Sequence, residues 1–135
     1  MRRYVSFAVG IASLGLLLAA APAARAHHSF AAEFDASKSF KMTGLVTKIE
    51  WQNPHTFFYI DVTDAETGNV TNWAMEMGSP NGLMRQGWTR NTLKIGDIVA
   101  VEGSLARSGL PLGNARVVIL TSTGQRLFAA SSQTP

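Results

Sequence analysis

At 135 residues the chain has room for one small domain, and a composition of 46% hydrophobic and 16% charged residues excludes an intrinsically disordered polymer. It has no cysteine, which removes disulfides, thiolate metal sites, lipid anchoring through cysteine and thiol nucleophiles from consideration. The formal charge of +3 loses its meaning once its sources are located, because Arg2, Arg3 and Arg25 all lie in a segment that reads as an export signal.

That segment is residues 1–26. Arg2 and Arg3 form a positive start, Phe7 to Ala21 is an uncharged apolar run, Pro22 breaks it, and Ala24-Arg25-Ala26 offers the small-x-small pattern of a cleavage site. The apolar run falls short of the roughly 20 residues that span a bilayer, so cleavage is expected rather than anchoring, and the mature chain is expected in the periplasm. Removing those three arginines from the 12 basic residues leaves them balanced against the 9 acidic ones. A basic surface for nucleic acid is therefore not expected, nor is membrane association after cleavage.

Residues 27–39 read as an N-terminal arm. It opens on His27-His28-Ser29-Phe30; Phe30 and Phe34, four apart, suit either one helical turn laid against an apolar surface or a mobile arm pinned by the two rings, and Asp35 to Lys38 reads as a turn. From Phe40 the pattern becomes two-fold. Leu45, Thr47, Ile49 and Trp51 alternate with Val46, Lys48 and Glu50, with Gly44 as a bulge that can switch the inward side. The corner Gln52-Asn53-Pro54-His55 interrupts the ladder, because proline has no amide hydrogen to donate.

A second strand, Thr56 to Thr63, sets Phe58, Ile60 and Val62 against Phe57, Tyr59 and Asp61. Thr67-Gly68-Asn69 is a turn, and a third strand, Val70 to Met77, sets Trp73, Met75 and Met77 against Asn72, Ala74 and Glu76. Ser79-Pro80 then has the form of an N-cap with proline at the first helical position, and Gly87 marks the stop, with Leu83 and Met84 as apolar contacts. Leu93 to Asp97 turns into a fourth strand, Ile98 to Ala106. A Gly/Pro-rich loop leads to a fifth, Ala115 to Thr121, and Leu127-Phe128 offers a short return. Residues 129–135 are expected to fray.

The order β-β-β-α-β-β predicts an all-β domain with one short helix, a five-stranded OB-like Greek-key barrel over residues 40–128. A small antiparallel sandwich of another topology is the competing architecture. The pieces AHHSF at 26–30, EWQNPH at 50–55, W-x-x-E at 73–76, SPNGLMRQGW at 79–88 and LKIGD at 93–97 together resemble a family of short exported bacterial proteins described only as a domain of unknown function. The resemblance covers essentially the whole chain after the signal. It implies an OB-like periplasmic domain and carries no catalytic residue.

Two constellations could bind something. If cleavage follows Ala26, His27 becomes the terminus, and its amine and imidazole can chelate one metal ion with His28 or His55 adding a further nitrogen. Amine and imidazole donors suit copper(II). The plain alternative is a polar start and a turn-forming Asn-Pro-His corner. The second constellation is one sheet face with Phe57, Tyr59, Asn72 and Glu76, and Arg85 nearby, the side on which OB-folds bind ligands. Its alternative is that Phe30 and Phe34 cover Phe57 and Tyr59, which would also carry His27 and His28 toward His55. The methionines fall at core spacings. Catalysis has little basis: Ser29, Ser79 and Ser104 lack a nucleophile-elbow context, and Glu50 or Glu76 beside a histidine would have to act as an acid–base pair. The expectation is an exported, non-enzymatic binding or accessory module with copper as the candidate metal. The alternative is a metal-free module for a periplasmic protein partner or small ligand.

Overall fold

The structure, a computed structural model, describes residues 29–131 and 134. The segment read as an export signal and the candidate ligands His27 and His28 lie outside the described residues. A short helix α1 (Phe30–Glu33) leads into β1 (Phe34–Glu50), β2 (Phe57–Thr63) and β3 (Val70–Glu76). Helix α2 (Pro80–Arg85) follows, then β4 (Ile98–Ala106), β5 (Leu112–Leu120) and a short β6 (Arg126–Phe128).

The five longer strands form a closed ring. β1 pairs antiparallel with β4 through its first part and with β2 through its last part. β2 pairs with β3, and β4 with β5. The ring is completed where β3 runs parallel to β5 over Ala74–Glu76 and Leu112–Asn114. This is the connectivity of the five-stranded Greek-key barrel expected from the order of elements, with the helix between the third and fourth strands.

The long first strand serves two neighbours because it coils. Gly44 sits near the handover, and a Cβ there would stand 2.7 Å from the carbonyl oxygen of Asp61. β1 also starts earlier than its sequence pattern suggested. The expected turn at Asp35–Lys38 is instead an irregularity inside the strand, where the pairing with β4 jumps from Asp35–Leu105 to Ser39–Ser104. A second shift lies between Val46 and Lys48. The extra residue, Thr47, resets the alternation, so Val46 and Ile49 both pack on the core while Lys48 between them faces solvent. The simple two-fold reading of this strand, which grouped Val46 with Lys48 and Glu50 and set it against Ile49, is corrected by that bulge.

In β2 and β3 the expected sides hold. Phe58, Ile60, Met75 and Met77 point into the core, together with Val99, Val101 and Val118. Helix α2 closes one end. The Ser79 hydroxyl accepts from the Gly82 amide at 3.2 Å, and Gly87 ends the segment at a φ of 93°. Leu83 is fully buried and Trp88 nearly so, but Met84 is exposed to solvent rather than packed. The Trp88 indole Nε1 donates to the Phe128 carbonyl at 2.7 Å, which ties the helix end to β6.

The arm and the tail also differ from expectation. Phe30 and Phe34 pack with Ala106 and Leu112, beside β4 and β5, and not over Phe57 and Tyr59. The chain after Phe128 does not simply fray: Ala129 is fully buried, donates to the Arg116 carbonyl and accepts from the Gly78 amide.

Candidate functional site

The corner between β1 and β2 is held by main-chain bonds that extend the β2–β3 ladder past its ends. Thr56 N–H donates to the Gly78 carbonyl and Met77 N–H to the Thr56 carbonyl, at 3.1 and 2.8 Å. The preceding Asn53–Pro54 peptide is cis. Alternation along these strands turns Thr56 and Met77 inward and leaves Phe57 and Glu76 as neighbours in register on the outer side.

At this edge stands His55. Its Nδ1 is buried, has no hydrogen-bond partner among the described residues, and lies 3.9 Å from Oε1 of Glu76. Glu76 is 7% exposed. It is covered because the parallel seam sets Asn114 directly opposite it, and Asn114 is itself buried. Asn114 Nδ2 donates to Glu76 Oε1 at a long 3.5 Å, and its own Oδ1 accepts from the Thr134 hydroxyl at 3.1 Å. Burial first, and then the nearby Glu33 charge, push the Glu76 carboxyl up to about 7 against the opposing Asn114 bond. Among the described residues no lysine or arginine forms an ion pair with Glu76. No third His, Cys, Asp or Glu joins this pair closely enough to hold a metal among the described residues.

The rest of the outer face is zipped together by its own side chains. The Tyr59 hydroxyl donates to Glu50 Oε2 at 2.9 Å, Lys48 pairs with the same carboxylate, and the Lys48 ammonium lies 4.9 Å from the Tyr59 ring centre. Hydrogen bonds from Lys48 and then Tyr59 hold the Glu50 carboxyl below its usual range, while the bond to Glu50 raises Tyr59. Asn72 donates to Asp61 at 2.7 Å and to the bulged Thr47 at 3.1 Å. Phe57 and Tyr59 remain half-buried on this face.

The family of unknown function DUF6152 matches residues 14–115. The chain belongs to that family. The matched span includes His55, Glu76 and Asn114. No curated protein and no solved structure matches the chain.

Phe57, Tyr59, Asn72 and Glu76 thus share the outer side of β2 and β3, as their parity required. Arg85 is exposed on α2 and has no hydrogen bond or ion pair to that face among the described residues. Asn114 is the member that sequence reading missed, since it followed a Gly/Pro-rich stretch and read as loop. The Gly113-Asn114 pair entering an apolar run was the one available hint. A shallow groove of about 430 Å³ lies close by, between α1 and the β4–β5 loop, lined by Glu33, Arg107, Leu110 and Leu112. Among the described residues no helix is long and apolar enough to cross a membrane.

Proposed function

We propose that the protein is an exported, non-enzymatic binding module of the periplasm that takes up a transition-metal ion, copper(II) first. The observation that carries this reading is the His55 Nδ1: a buried imidazole nitrogen without a hydrogen-bond partner among the described residues, facing a buried carboxylate at 3.9 Å. Imidazole nitrogens in such settings are ordinarily satisfied by a hydrogen bond or a metal. His27, as the amino terminus after cleavage, adds an amine and an imidazole, and His28 can add another nitrogen. Glu33, six positions after His27, is near enough to Glu76 for its charge to act there.

The test is a copper(II) titration of protein that begins at His27, of protein with one residue added before it, and of His55→Ala. Binding that weakens at least roughly tenfold in both altered forms supports the reading. Equal, weak binding by all three removes it, as does mass spectrometry showing that the exported protein begins elsewhere. A second reading, a metal-free module for a periplasmic protein or small ligand, draws on the half-buried Phe57 and Tyr59 rings of the outer face. It takes precedence if copper binding is absent and substitution of those two rings abolishes capture by a partner.

A further inference from the structure

We infer that the groove between α1 and the β4–β5 loop binds a small organic cation, an amine carried on an apolar body, with the Glu33 carboxylate as partner of the ammonium group. The groove is independent of the metal reading above, because its lining residues are Ala32, Glu33, Arg107, Ser108, Leu110 and Leu112, and none of the proposed metal donors is among them.

Both walls of the groove are held by contacts that no ligand has to supply. On one side α1 is seated by Phe30 and Phe34, whose ring centroids are 5.6 Å apart and which pack with Ala106 and Leu112. On the other side the loop is fastened along its length. Arg107 N–H donates to the Glu33 carbonyl at 2.9 Å, Leu110 N–H to the Ser108 hydroxyl at 3.3 Å, and Leu112 N–H to the Leu110 carbonyl at 2.7 Å. Ala74 N–H adds a bond to the Pro111 carbonyl at 3.0 Å, and Gly109 takes the left-handed turn at a φ of 75°. Leu110 is nevertheless 64% exposed. A pinned loop thus holds an apolar side chain toward water, where covering it is favourable. The volume of about 430 Å³ falls within the roughly 300–1,000 Å³ of small-molecule sites.

The charges around the groove select the kind of molecule. Arg107 is already committed: its Nε donates to the Ala31 carbonyl at 2.9 Å, and its guanidinium lies 3.6 Å from the Asp35 carboxylate. Lys38 acts on Asp35 as well. Glu33 is half-buried, and among the described residues its carboxylate has neither an ion pair nor a hydrogen bond. The only charged group it is seen to act on is another acid, Glu76. The cations at this end of the barrel are therefore directed at Asp35, and the unmatched charge on the groove lining is negative. An anion would meet Glu33 and find Arg107 taken. An ammonium group meets a carboxylate that lacks a partner, while the apolar body attached to it covers Leu110 and Leu112.

The experiment follows amide chemical shifts of the isotope-labelled exported protein, freed of metal with EDTA, as phenethylamine is added. N-acetylphenethylamine supplies the same body without charge, and phenylpropionate supplies the anion. The expected result is saturable shifts at Glu33, Arg107, Leu110 and Leu112 with phenethylamine, and affinity lower by roughly fivefold or more for the other two probes. Glu33→Gln is expected to bring phenethylamine down to the affinity of its acetylated form. Leu110→Ser is expected to weaken both alike, and Glu102→Gln, whose carboxylate pairs with Lys41 and Arg126, to change neither. The acetylated probe is compared on the parent protein, so the test of charge holds even if Glu33→Gln does not fold. Equal affinity for the charged and acetylated probes, or parent-like affinity in folded Glu33→Gln, overturns the assignment of the cation. Absence of saturable shifts at the groove, or shifts centred on Phe57 and Tyr59, overturns the site. Groove shifts that grow with protein concentration in the absence of any amine assign it to a second copy of the chain and overturn the inference as well. Failure of the copper(II) titration touches none of these outcomes.

Discussion

Glu76 and Asn114 face each other across the short parallel seam between β3 and β5, and both are buried there. The seam closes the barrel, so a carboxylate whose neighbours are Asn114, His55 and Glu33 is built into the closure itself. Its ordinary value of 4.5 is raised to about 7. An acid with a raised value in the folded state binds its proton more tightly folded than unfolded. Its penalty is therefore absent below the ordinary value, grows as pH rises, and is complete above the folded one. For a shift of this size the cost is of order 3 kcal/mol, at about 1.4 kcal/mol for each pH unit. Glu76→Gln, which cannot ionise, is expected to gain stability relative to the parent between pH 5 and pH 8 in metal-free urea unfolding. A difference that stays constant across that interval would contradict the assignment.

The ring of Phe40 occupies the space that side chains at Gly103 and Gly113 would need, and this distinguishes two kinds of glycine. A Cβ on Gly113 would meet the Phe40 ring at 2.5 Å, while one on Gly103 would meet the Asn114 carbonyl oxygen at 1.9 Å. The first obstacle is a side chain and the second is backbone. Gly113→Ala is expected to cost about 1–3 kcal/mol and to be partly relieved when Phe40→Leu is added. Gly103→Ala is expected to cost about 3 kcal/mol or more, and Phe40→Leu should not rescue it. Urea unfolding of the four variants decides the matter, and equal rescue at both positions would refute the distinction.

These contacts mark how far the sequence could be read. Strong period-two alternation made β2 and β3 legible, and the grouping of Phe57, Tyr59, Asn72 and Glu76 on one side followed from parity alone. The Ser79-Pro80 start and the Gly87 stop were legible because each carries a local backbone signature. The failures have another origin. The bulge at Thr47 is set by pairing with β2, and the early start of β1 at Phe34 by pairing with β4; neither has a local signal strong enough to declare it. Likewise the burial of Glu76 depends on Asn114, which is 38 positions away and arrives through a parallel pairing that no local pattern announces. Candidate residues were visible one strand at a time, whereas the environment that gives them their chemistry came from closure.

The segment after Phe128 provides the sharpest contrast between a tail read as polar and loose and a tail used in the fold. Ala129 donates to the Arg116 carbonyl at 2.9 Å and accepts from the Gly78 amide at 2.8 Å, so it prolongs the β5–β6 ladder and fastens the chain leaving β3. Thr134 reaches Asn114 Oδ1 at 3.1 Å, orienting the amide that faces Glu76. Ending the chain at Phe128 removes two main-chain bonds and the Thr134 contact, and uncovers the buried site of Ala129. At about 1 kcal/mol net for each hydrogen bond, the truncated protein is expected to lose about 2–4 kcal/mol in stability. Because Trp88 Nε1 donates to the Phe128 carbonyl at 2.7 Å, loosening of β6 should also move the Trp88 surroundings toward water, and intrinsic fluorescence should shift to the red in the still-folded population. Thr134→Val isolates the contact to Asn114: it should leave the barrel nearly as stable as the parent while altering the pH dependence attributed to Glu76. A truncated protein as stable as the parent, with unchanged emission, would show that the ladder ends at Phe128 in solution.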